Sequence, residues 1–533
     1  MTPSFDAYWS AFARLVAGSP PLVVGWLAVV AALSAGSTWL LRRLLPRAAT
    51  DNPIRRVVQN SAFPIGAALF NKGLDLAFAL VMLRVLGPVD AGKYAWVGVV
   101  LAYLDILLNF GMNTWLTREV ARAPARLGAD LGRVLGARAA LWGVVGAITL
   151  GLVGPLADLL AITPDVGLAL GLLVLGMAPS GVAAALSAVC QGHERMDYPA
   201  AVTVLTTVLK VALGLLALAL GFGFVGLAGV ALVVNLITLV ALAVLFVDLV
   251  GWPRLEFGAG ASLALGAAAY PFMLNNLLAS LFFRLDFLLL RPLAGDAALG
   301  WYSAAYRVLD GLNLIPAHFT LALFPLLARH GQADRAALAR VYARALKVLL
   351  AMSLPASVGI ALLAEPLVGL VAGPAYLPEA AWALRVLIWF LPFSFVNGVT
   401  QYVLLAVDRQ RFLTLAFIMA TGFNLGANLV LIPRASYLAA ALVTVLSEVV
   451  LLGPFWWAVT RALPPVSLLG QAWRPAVAAA GMAPVVAALA GIDRWGWLVA
   501  IPAGAAAYGA LLVVAGGVDA EDRALWRRLW ARA

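Results

Sequence analysis

The sequence has 533 residues, of which 64% are hydrophobic and 11% are charged, with a formal net charge of +11. Soluble domains carry about 25% charged residues, so water could not solvate the surface of this chain and its main solvent must be lipid. The single cysteine, Cys190, excludes an internal disulfide, and three histidines without clustered cysteines argue against a structural metal site. Composition therefore predicts a polytopic integral membrane protein.

Apolar runs long enough to cross a bilayer recur along the whole chain. A spanning helix needs about 20 mostly apolar residues, and none of these runs alternates with the period of two that a barrel strand requires. The first run lies at 20–41. Six more are predicted at 61–86, 93–113, 134–158, 166–190, 200–220 and 223–247. A second six are predicted at 263–290, 300–328, 346–371, 380–406, 411–432 and 437–460, and two closing spans at 474–491 and 495–516. The chain is therefore expected to be all α-helical, with about 15 spans.

The basic residues in the loops predict the orientation. Short loops rich in Lys and Arg face the cytoplasm. Of the 36 basic residues, 25 fall in one alternating set of loops (Arg138 among them), 5 in the other set and 6 inside spans. This bias places the N-terminus outside and the C-terminus in the cytoplasm. The tail at 519–533, which combines Trp526 and Trp530 with several arginines, is expected to form an amphipathic helix on the anionic inner leaflet. The positive net charge follows from topology and does not indicate nucleic acid.

Two similar segments indicate an internal repeat. RVLGPVDAGKYAWV begins at Arg84, and RPLAGDAALGWYSAA begins at Arg291. Each runs from an arginine through a glycine-containing turn and an aspartate to a Gly and Tyr that open the next span. The offset of about 207 residues covers six spans. An even number of spans preserves orientation, so the sequence predicts two parallel six-helix lobes related by an axis along the membrane normal.

These segments also carry a family resemblance. LRVLGPVDAGKYAW, LNFGMNTWLTREVAR at 108–122 and FFRLDFLLLRPLAGDAALGWYSAAYRV at 282–308 resemble the Wzx-type polysaccharide repeat-unit flippases. Those proteins belong to the multidrug/oligosaccharidyl-lipid/polysaccharide exporter superfamily. The resemblance covers about 61–461 and implies a V-shaped, two-lobed transporter that works by alternating access. It also implies a substrate, undecaprenyl-pyrophosphate-linked oligosaccharide, which crosses from the cytoplasmic to the outer leaflet of the bacterial inner membrane. The first span departs from the family pattern.

The chain is accordingly divided into five parts. Residues 1–60 contain the extra first span and a basic cytoplasmic linker. The N-lobe is predicted at 61–255 and the C-lobe at 256–465. Two closing spans occupy 466–518, and the basic tail occupies 519–533.

Charged and amide side chains inside the spans mark a substrate path. An ionised side chain at mid-bilayer costs between about 2.5 and 17 kcal/mol, so it needs a partner or a water-filled cavity. Arg and Lys suit the phosphates of a lipid-linked sugar, and Asn and Asp suit its hydroxyls. Arg284 and Asp286 lie two residues apart, about 200° round a helix, and cannot share a face. The candidate substrate-binding residues are Lys72, Asp75, Arg84, Asp105, Asn109, Lys210, Asn275, Arg284, Asp286, Arg307 and Asp310.

Structural interpretations of the same residues remain open. Lys72 with Asp75, and Arg307 with Asp310, are spaced i, i+3 and could form pairs that hold helices together. Arg84 and Arg291 lie near span ends, where an arginine can extend to the interface. The stripe of Asp105, Asn109 and Asn113, spaced by four, could bond between helices.

Glu448, a lone acid in the predicted span 437–460, is a candidate coupling-ion site with Asn424 and Asn428. A carboxylate there could titrate or bind Na⁺. The alternative is a protonated Glu that bonds a neighbouring helix. No cofactor is expected beyond H⁺ or Na⁺.

Two other classes of membrane protein compete with a flippase, an enzyme and a transporter of different cargo. A membrane glycosyltransferase or polymerase needs catalytic groups on a large outer loop, but no predicted outer loop after the first span exceeds about a dozen residues, and neither a phosphate loop nor a nucleophile elbow is present. An enzyme is therefore not expected. A lipid II flippase or a cation-coupled drug exporter would share the fold. An exporter of organic cations should have an acidic cavity, whereas lipid II satisfies the same phosphate argument. The expected partners are the lipid-linked oligosaccharide, the bilayer and a polysaccharide polymerase or glycosyltransferase, with no nucleic acid.

Overall fold

A computed structural model of the protein describes residues 32–43, 53–256, 262–492 and 495–518. Within those residues the chain is almost entirely helical and contains no strand, which confirms the all-α prediction. Ten of the described helices are long and apolar enough to cross a membrane, so the protein is a multi-pass membrane protein. The predicted amphipathic tail and the start of the predicted first span lie outside the described residues.

Seventeen α-helices are described, numbered here in chain order. The first seven are α1 (32–43), α2 (Pro53–Asn109), α3 (Met112–Arg122), α4 (Leu127–Val153), α5 (Pro164–Gly192), α6 (Asp197–Ala219) and α7 (Gly223–Val250). The next five are α8 (Ser262–Ala294), α9 (Asp296–Leu312), α10 (Leu314–Ala333), α11 (Arg335–Leu362) and α12 (Ala364–Val371). The last five are α13 (Glu379–Leu387), α14 (Phe390–Ala406), α15 (Gln410–Ala462), α16 (Leu468–Ala490) and α17 (Gly496–Val514). Short 3₁₀ turns at Pro124–Arg126 and Pro374–Tyr376 precede α4 and α13.

Two of these helices, α2 and α15, each contain two predicted spans. In α2 the backbone leaves the helical region at Gly87, where φ is 69° and ψ is 177°. In α15 it does so at Ser436, where φ is 52° and ψ is −135°. Glycine adopts positive φ without a steric penalty, and Pro88 directly after it has the fixed φ that suits the first turn of a new helical segment. Sharp breaks therefore stand where the sequence predicted short loops.

Helices up to the middle of α8 form a first compact unit, which contains residues up to Ser280 together with Gly295–Ala297. In this unit α5 packs against α7 and α3, and α2 packs along α6. Leu116, Val189 and Ala241 are fully buried in its apolar core. Because lipid chains are as apolar as these side chains, the helices of this core associate by van der Waals packing of their surfaces.

The second unit contains Leu281–Ala294 and the chain from Ala298 onward. Here α14 packs against α10, α11 and α15, around the buried rings of Tyr342, Phe395 and Phe455. The closing helices α16 and α17 pack against each other, and α16 also lies along α11. Met482 and Val486 join Leu363 in a smaller apolar cluster there.

The extra helix α1 belongs to the first unit. Ser34, Ser37 and Leu41 are buried, and their spacing places them on one helical face. At the end of that face the Arg42 guanidinium donates two hydrogen bonds to the Asp248 carboxylate of α7, Nε at 2.6 Å and Nη2 at 2.7 Å. The described part of the added span is thus fixed to α7 by packing and by a bidentate ion pair.

Candidate functional site

The first unit contains a cavity of about 140 Å³ between α2, α3, α4 and α5. Its polar lining consists of Asp105, Asn109, Asn113 and Arg138, and Trp142 of α4 adds an aromatic ring. Asp105, the first residue of this polar lining, is exposed. The stripe that the sequence picked out, residues 105, 109 and 113, therefore lines one cavity.

Arg138 is the functional candidate that the sequence reasoning missed. Its position only four residues inside the predicted span 134–158 makes it look like part of the basic cytoplasmic loop, whereas α4 begins at Leu127 and carries Arg138 into the bundle, where it is 6% exposed. Its Nη2 donates to Asn109 Oδ1 at 2.9 Å and to Asn113 Oδ1 at 2.5 Å, and its Nη1 donates to the carbonyl of Gly181. A stripe of amides spaced by four was the available signal, because their oxygens require a donor from a neighbouring helix.

The neighbouring Trp142 is also fixed by α5. Its indole Nε1 donates to the carbonyl of Val174 at 2.8 Å. Two side chains of α4, Arg138 and Trp142, therefore bond to backbone carbonyls of α5.

Asp75 and Lys210 form an ion pair, with 2.5 Å between the carboxylate and Nζ. The pair that the sequence left open between Lys72 and Asp75 does not form, because Lys210 of α6 binds the carboxylate. Lys72 is exposed and has no hydrogen bond or ion pair within the described part of the chain. Arg84 is also exposed and lies three residues before the break at Gly87.

Arg284 and Asp310 form the equivalent pair in the second unit. Nη2 of Arg284 lies 3.0 Å from the Asp310 carboxylate, and the guanidinium lies over the rings of Tyr306 and Phe287, at 4.9 and 5.1 Å from their centroids. The pair that the sequence left open between Arg307 and Asp310 does not form, because Arg284 of α8 binds the carboxylate. Arg307 is half-buried and has no hydrogen bond or ion pair among the described residues.

Asp286 faces away from Arg284, as their separation of about 200° requires. It is 2% exposed and accepts hydrogen bonds from the Tyr302 hydroxyl and from Thr444 Oγ1, the latter at 3.1 Å. One carboxylate therefore joins α8, α9 and α15. Asn275, eleven residues earlier in α8, is exposed and belongs to the first unit.

Arg291 does not extend to an interface. The sequence left that interpretation open because Arg291 lies near a predicted span end, but its side chain is among the largest fully buried ones, at 1% exposure. The Arg291 side chain is therefore enclosed by protein, although Leu293 two residues later is exposed.

Glu448 lies in a buried cluster of amides and hydroxyls in the second unit. Asn397 Nδ2 donates to Glu448 Oε2 at 2.6 Å. Asn424 Nδ2 donates to Ser447 Oγ, and Asn428 Nδ2 donates to Asn424 Oδ1, each at 2.9 Å. The predicted coupling-ion residues Glu448, Asn424 and Asn428 all lie on α15, and Asn397 of α14 is a further member that the sequence did not indicate.

Two oxygens of this cluster lack donors. The Oδ1 atoms of Asn397 and Asn428 are buried and have no hydrogen-bond donor among the described residues. Buried polar atoms are usually satisfied, and unpaired ones call for a bound water, an ion or a functional role. Together with the Glu448 carboxylate they supply the oxygen ligands that hard cations prefer.

Comparison with known proteins is informative at the level of family and fold. A family model described as polysaccharide biosynthesis protein matches residues 57–330, and a second, described as MatE, matches residues 271–430. No curated protein matches the sequence.

Solved structures of transporters share the fold. A structure of the lipid II flippase MurJ in an inward closed conformation superposes with a TM-score of 0.70 at 13% identity, covering 85% of this chain and 98% of that one. An inward-facing multidrug resistance MATE family transporter of the MOP superfamily gives 0.60 at 17% identity, covering 74% and 94%. A MOP superfamily transporter from Pyrococcus furiosus gives 0.52 at 17% identity, covering 77% and 95%. At these identities the likeness establishes the fold.

Proposed function

Because the chain belongs to the polysaccharide biosynthesis protein family, within the MOP superfamily of transporters and flippases, we propose that it is a flippase of the Wzx type. Its substrate is a polyprenyl-pyrophosphate-linked oligosaccharide repeat unit, moved across the bacterial cytoplasmic membrane by alternating access for export of a surface polysaccharide. The N-terminus lies outside and the C-terminus in the cytoplasm, and a polymerase or glycosyltransferase acts on the same lipid-linked sugar.

The observation that carries this proposal is the pairing of intramembrane charges. Asp75 and Asp310 are each bonded to a cation from another helix, Lys210 and Arg284. Lys72 in the first unit and Arg307 in the second are therefore cations without a carboxylate partner in the described chain. An unpaired cation in an apolar span is costly, and a diphosphate supplies the charge that would satisfy it.

The same pairing argues against an organic-cation exporter, which needs free carboxylates. Asp105 has no ion pair within 4 Å among the described residues, but it shares its cavity with the buried guanidinium of Arg138. Lipid II also carries a diphosphate, so charge alone does not separate it from a repeat unit. MurJ, a lipid II flippase, has the same fold. Lipid II and an oligosaccharide repeat unit must therefore be distinguished by their sugars.

The test is translocation in proteoliposomes. A labelled polyprenyl-diphosphate oligosaccharide is loaded on one side, and its exposure to an impermeant glycosidase is followed, with lipid II and an organic cation as parallel cargoes. The proposal expects movement of the oligosaccharide lipid, and loss of at least tenfold in rate for Lys72→Gln and Arg307→Gln, since a charge-assisted bond contributes about 1.5–3 kcal/mol. Movement of lipid II alone would assign the chain to that cargo, and movement of the organic cation alone would overturn the flippase.

The control is a basic residue that already forms an ion pair with a carboxylate. Arg385 bonds Glu365 at 2.9 Å, so Arg385→Gln removes the same charge without removing an unpaired group, and its rate should stay within about twofold of wild type. Arg284→Ala is a poorer probe because it leaves Asp310 unpaired. Equal losses in all three glutamine variants would indicate a general effect of charge and not a phosphate path.

We further propose that transport is coupled to Na⁺ or H⁺ at the Glu448 cluster. The chemistry of these groups suits a small cation: the Glu448 carboxylate, Asn397 Oδ1 and Asn428 Oδ1 are buried oxygens, and the two amide oxygens have no donor among the described residues. In this role Asn424 holds Asn428 in place through the hydrogen bond that Asn428 donates. A cation bound there would stabilise the second unit and link its conformation to the ion gradient.

Thermal unfolding of the purified chain tests this coupling site. A ligand that binds only the folded state raises stability by RT ln(1 + [L]/Kd), so replacing choline by Na⁺ should raise the Tm of wild type but not that of Glu448→Gln. Glu365→Gln, at an exposed carboxylate, should keep the response. If Na⁺ does not change the Tm of either protein, transport is measured after a pH jump, and a rate that depends on the pH gradient would indicate coupling to H⁺. If neither Na⁺ nor pH has an effect, the cluster is structural.

A further inference from the structure

The geometry points to a subsite for a single sugar residue in the first unit, in the cavity lined by Asp105, Asn109, Asn113 and Trp142. The inference rests on the proposed flippase function and goes beyond it by separating recognition of the sugar from recognition of the diphosphate. Arg138 acts in this subsite as a positioning residue.

The guanidinium of Arg138 fixes the orientation of both amides. Its Nη2 donates to Oδ1 of Asn109 and to Oδ1 of Asn113, and Asn109 Oδ1 also accepts the backbone N–H of Asn113 at 3.3 Å. Both amide oxygens are therefore occupied, and both Nδ2 groups have no acceptor among the described residues. Since each amide nitrogen carries two donors, the cavity wall presents a fixed set of N–H groups.

The other groups complement these donors. Asp105 lies four residues before Asn109 on α2 and adds to the cavity lining a carboxylate, which accepts hydrogen bonds. The Trp142 ring is immobilised because its Nε1 is bonded to Val174. A pyranose needs this combination, because its hydroxyls both donate and accept and its ring has an apolar face that lies against aromatic carbon. A diphosphate would need donors only, and an organic cation acceptors only.

The size of the cavity limits what enters. Its volume of about 140 Å³ lies below the ~300 Å³ at the small end of ligand pockets. One sugar ring, or the substituted edge of one, occupies such a space, whereas the remainder of an oligosaccharide must stay outside. The subsite therefore reads one residue of the repeat unit.

One further atom indicates that the site is incomplete without an occupant. Nε of Arg138 is buried and has no hydrogen-bond acceptor among the described residues. A guanidinium whose other nitrogens are bonded, but which keeps an unmet donor beside a cavity, is costly to bury. Water or a ligand hydroxyl that reaches it after a small shift would satisfy that donor.

The experiment measures binding, so that it is separate from the translocation assay. The full chain in nanodiscs is titrated with two probes: bare undecaprenyl diphosphate, and the same lipid bearing one N-acetylhexosamine. Wild type should bind the glycosylated lipid about tenfold more tightly, as one or two hydrogen bonds and ring contact allow. Asn113→Asp and Asn109→Asp keep an oxygen for Arg138 but replace the amide donor, so each should bring the ratio of the two Kd values close to one.

Arg138→Lys tests the positioning role. Lysine keeps the charge but lacks the planar guanidinium that holds both amide oxygens in fixed positions. This variant should also bring the ratio of the two Kd values close to one. Asn276→Asp makes the same chemical change at an exposed amide of α8 outside the cavity and should leave the ratio unchanged.

Equal Kd values for the two lipids in wild type would overturn the subsite. Variants that weaken the binding of both lipids by the same factor would also overturn it, and would assign the cavity to the diphosphate or to folding. Failure of every lipid-linked sugar to cross proteoliposomes would instead overturn the flippase, whatever the Kd values show.

Discussion

Asp75 accepts its hydrogen bond from Lys210, 135 residues further along the chain, although Lys72 lies within one turn on its own helix. The two bonded side chains belong to α2 and α6, which pack along each other. Each is about two-fifths exposed, at 42% and 40%. The ion pair is thus a tertiary contact between helices, and it decides which cation in this region remains available.

Lys210→Met should destabilise the first unit by about 1 kcal/mol, because Asp75 then loses its partner while water still reaches it in part. Asp75→Asn combined with Lys210→Met should recover part of that loss, with a coupling energy of about 0.6 kcal/mol, the average for polar contacts between membrane helices. Reversible unfolding in mixed micelles measures both. Lys72→Met should not couple to Asp75→Asn, and a coupling as large as that of Lys210 would contradict the assigned partner.

Tyr302→Phe should cost more stability than Tyr342→Phe. Both hydroxyls are buried in the second unit, but Tyr302 bonds the Asp286 carboxylate, whereas Tyr342 shares a hydrogen bond with the Thr400 hydroxyl at 2.8 Å. Bonds to a carboxylate contribute about 1.5–3 kcal/mol and neutral ones about 1 kcal/mol, so the loss should differ roughly twofold. Unfolding free energies of the two single variants measure this directly. Equal losses would mean that Asp286 is neutral in the folded protein.

Gly111→Ala should lower stability by about 2–4 kcal/mol. Gly111 has φ of +76°, and a Cβ there would lie 2.5 Å from the Ala269 carbonyl oxygen and 2.7 Å from Cβ of Phe272. Gly98→Ala is the matched control, because nothing lies within 4 Å of its Cβ position, and it should be neutral or stabilising by up to about 1 kcal/mol. Thermal melts of both variants give the comparison, and a tolerated Gly111→Ala would contradict the close approach of α8.

Asp334 provides a test at acid pH. It caps α11 by accepting the backbone N–H groups of Ala336 and Ala337, which hold the pKa of its carboxyl below the usual range. Because the folded pKa is lowered, the stabilisation is complete above the unfolded value of about 3.9 and is lost as pH falls through the folded pKa. Asp334→Ala should therefore have a lower Tm than wild type at pH 7, and the difference should shrink below pH 4. A difference that is constant from pH 7 to pH 3 would exclude a charged cap.

Most of the helices could be predicted from the sequence because an apolar run of membrane length has few alternatives to a helix. The connections between consecutive apolar runs are harder to predict from the sequence. Gly87 and Ser436 interrupt α2 and α15 without a loop, since a residue with positive φ reverses the backbone locally and needs no connecting segment. Hydropathy measures how apolar a segment is, and it does not record the dihedral angles at which one helix ends and the next begins.

The charged and amide residues inside the spans could be identified from the sequence, but the partners that they bond could not. Spacing along one helix brings Lys72 near Asp75 and Arg307 near Asp310, yet both carboxylates bond to cations on other helices, a choice that only packing determines. Arg138 was assigned to a loop because a single arginine near a span boundary looks like a cytoplasmic charge. Its true partners are amide oxygens, which carry no charge and so give no electrostatic signal in the sequence.

The bonds from α4 to α5 have a consequence for how this protein tolerates mutation. Trp142 and Arg138 donate to the carbonyls of Val174 and Gly181. Every amino acid carries that carbonyl, so the acceptors survive any substitution that fits the space around them, whereas each donor is lost with most replacements. Selection should therefore act strongly on one helix of the pair and weakly at the facing positions of the other. A saturation scan would show this as a one-sided map, intolerant at 138 and 142 and permissive at 174 and 181.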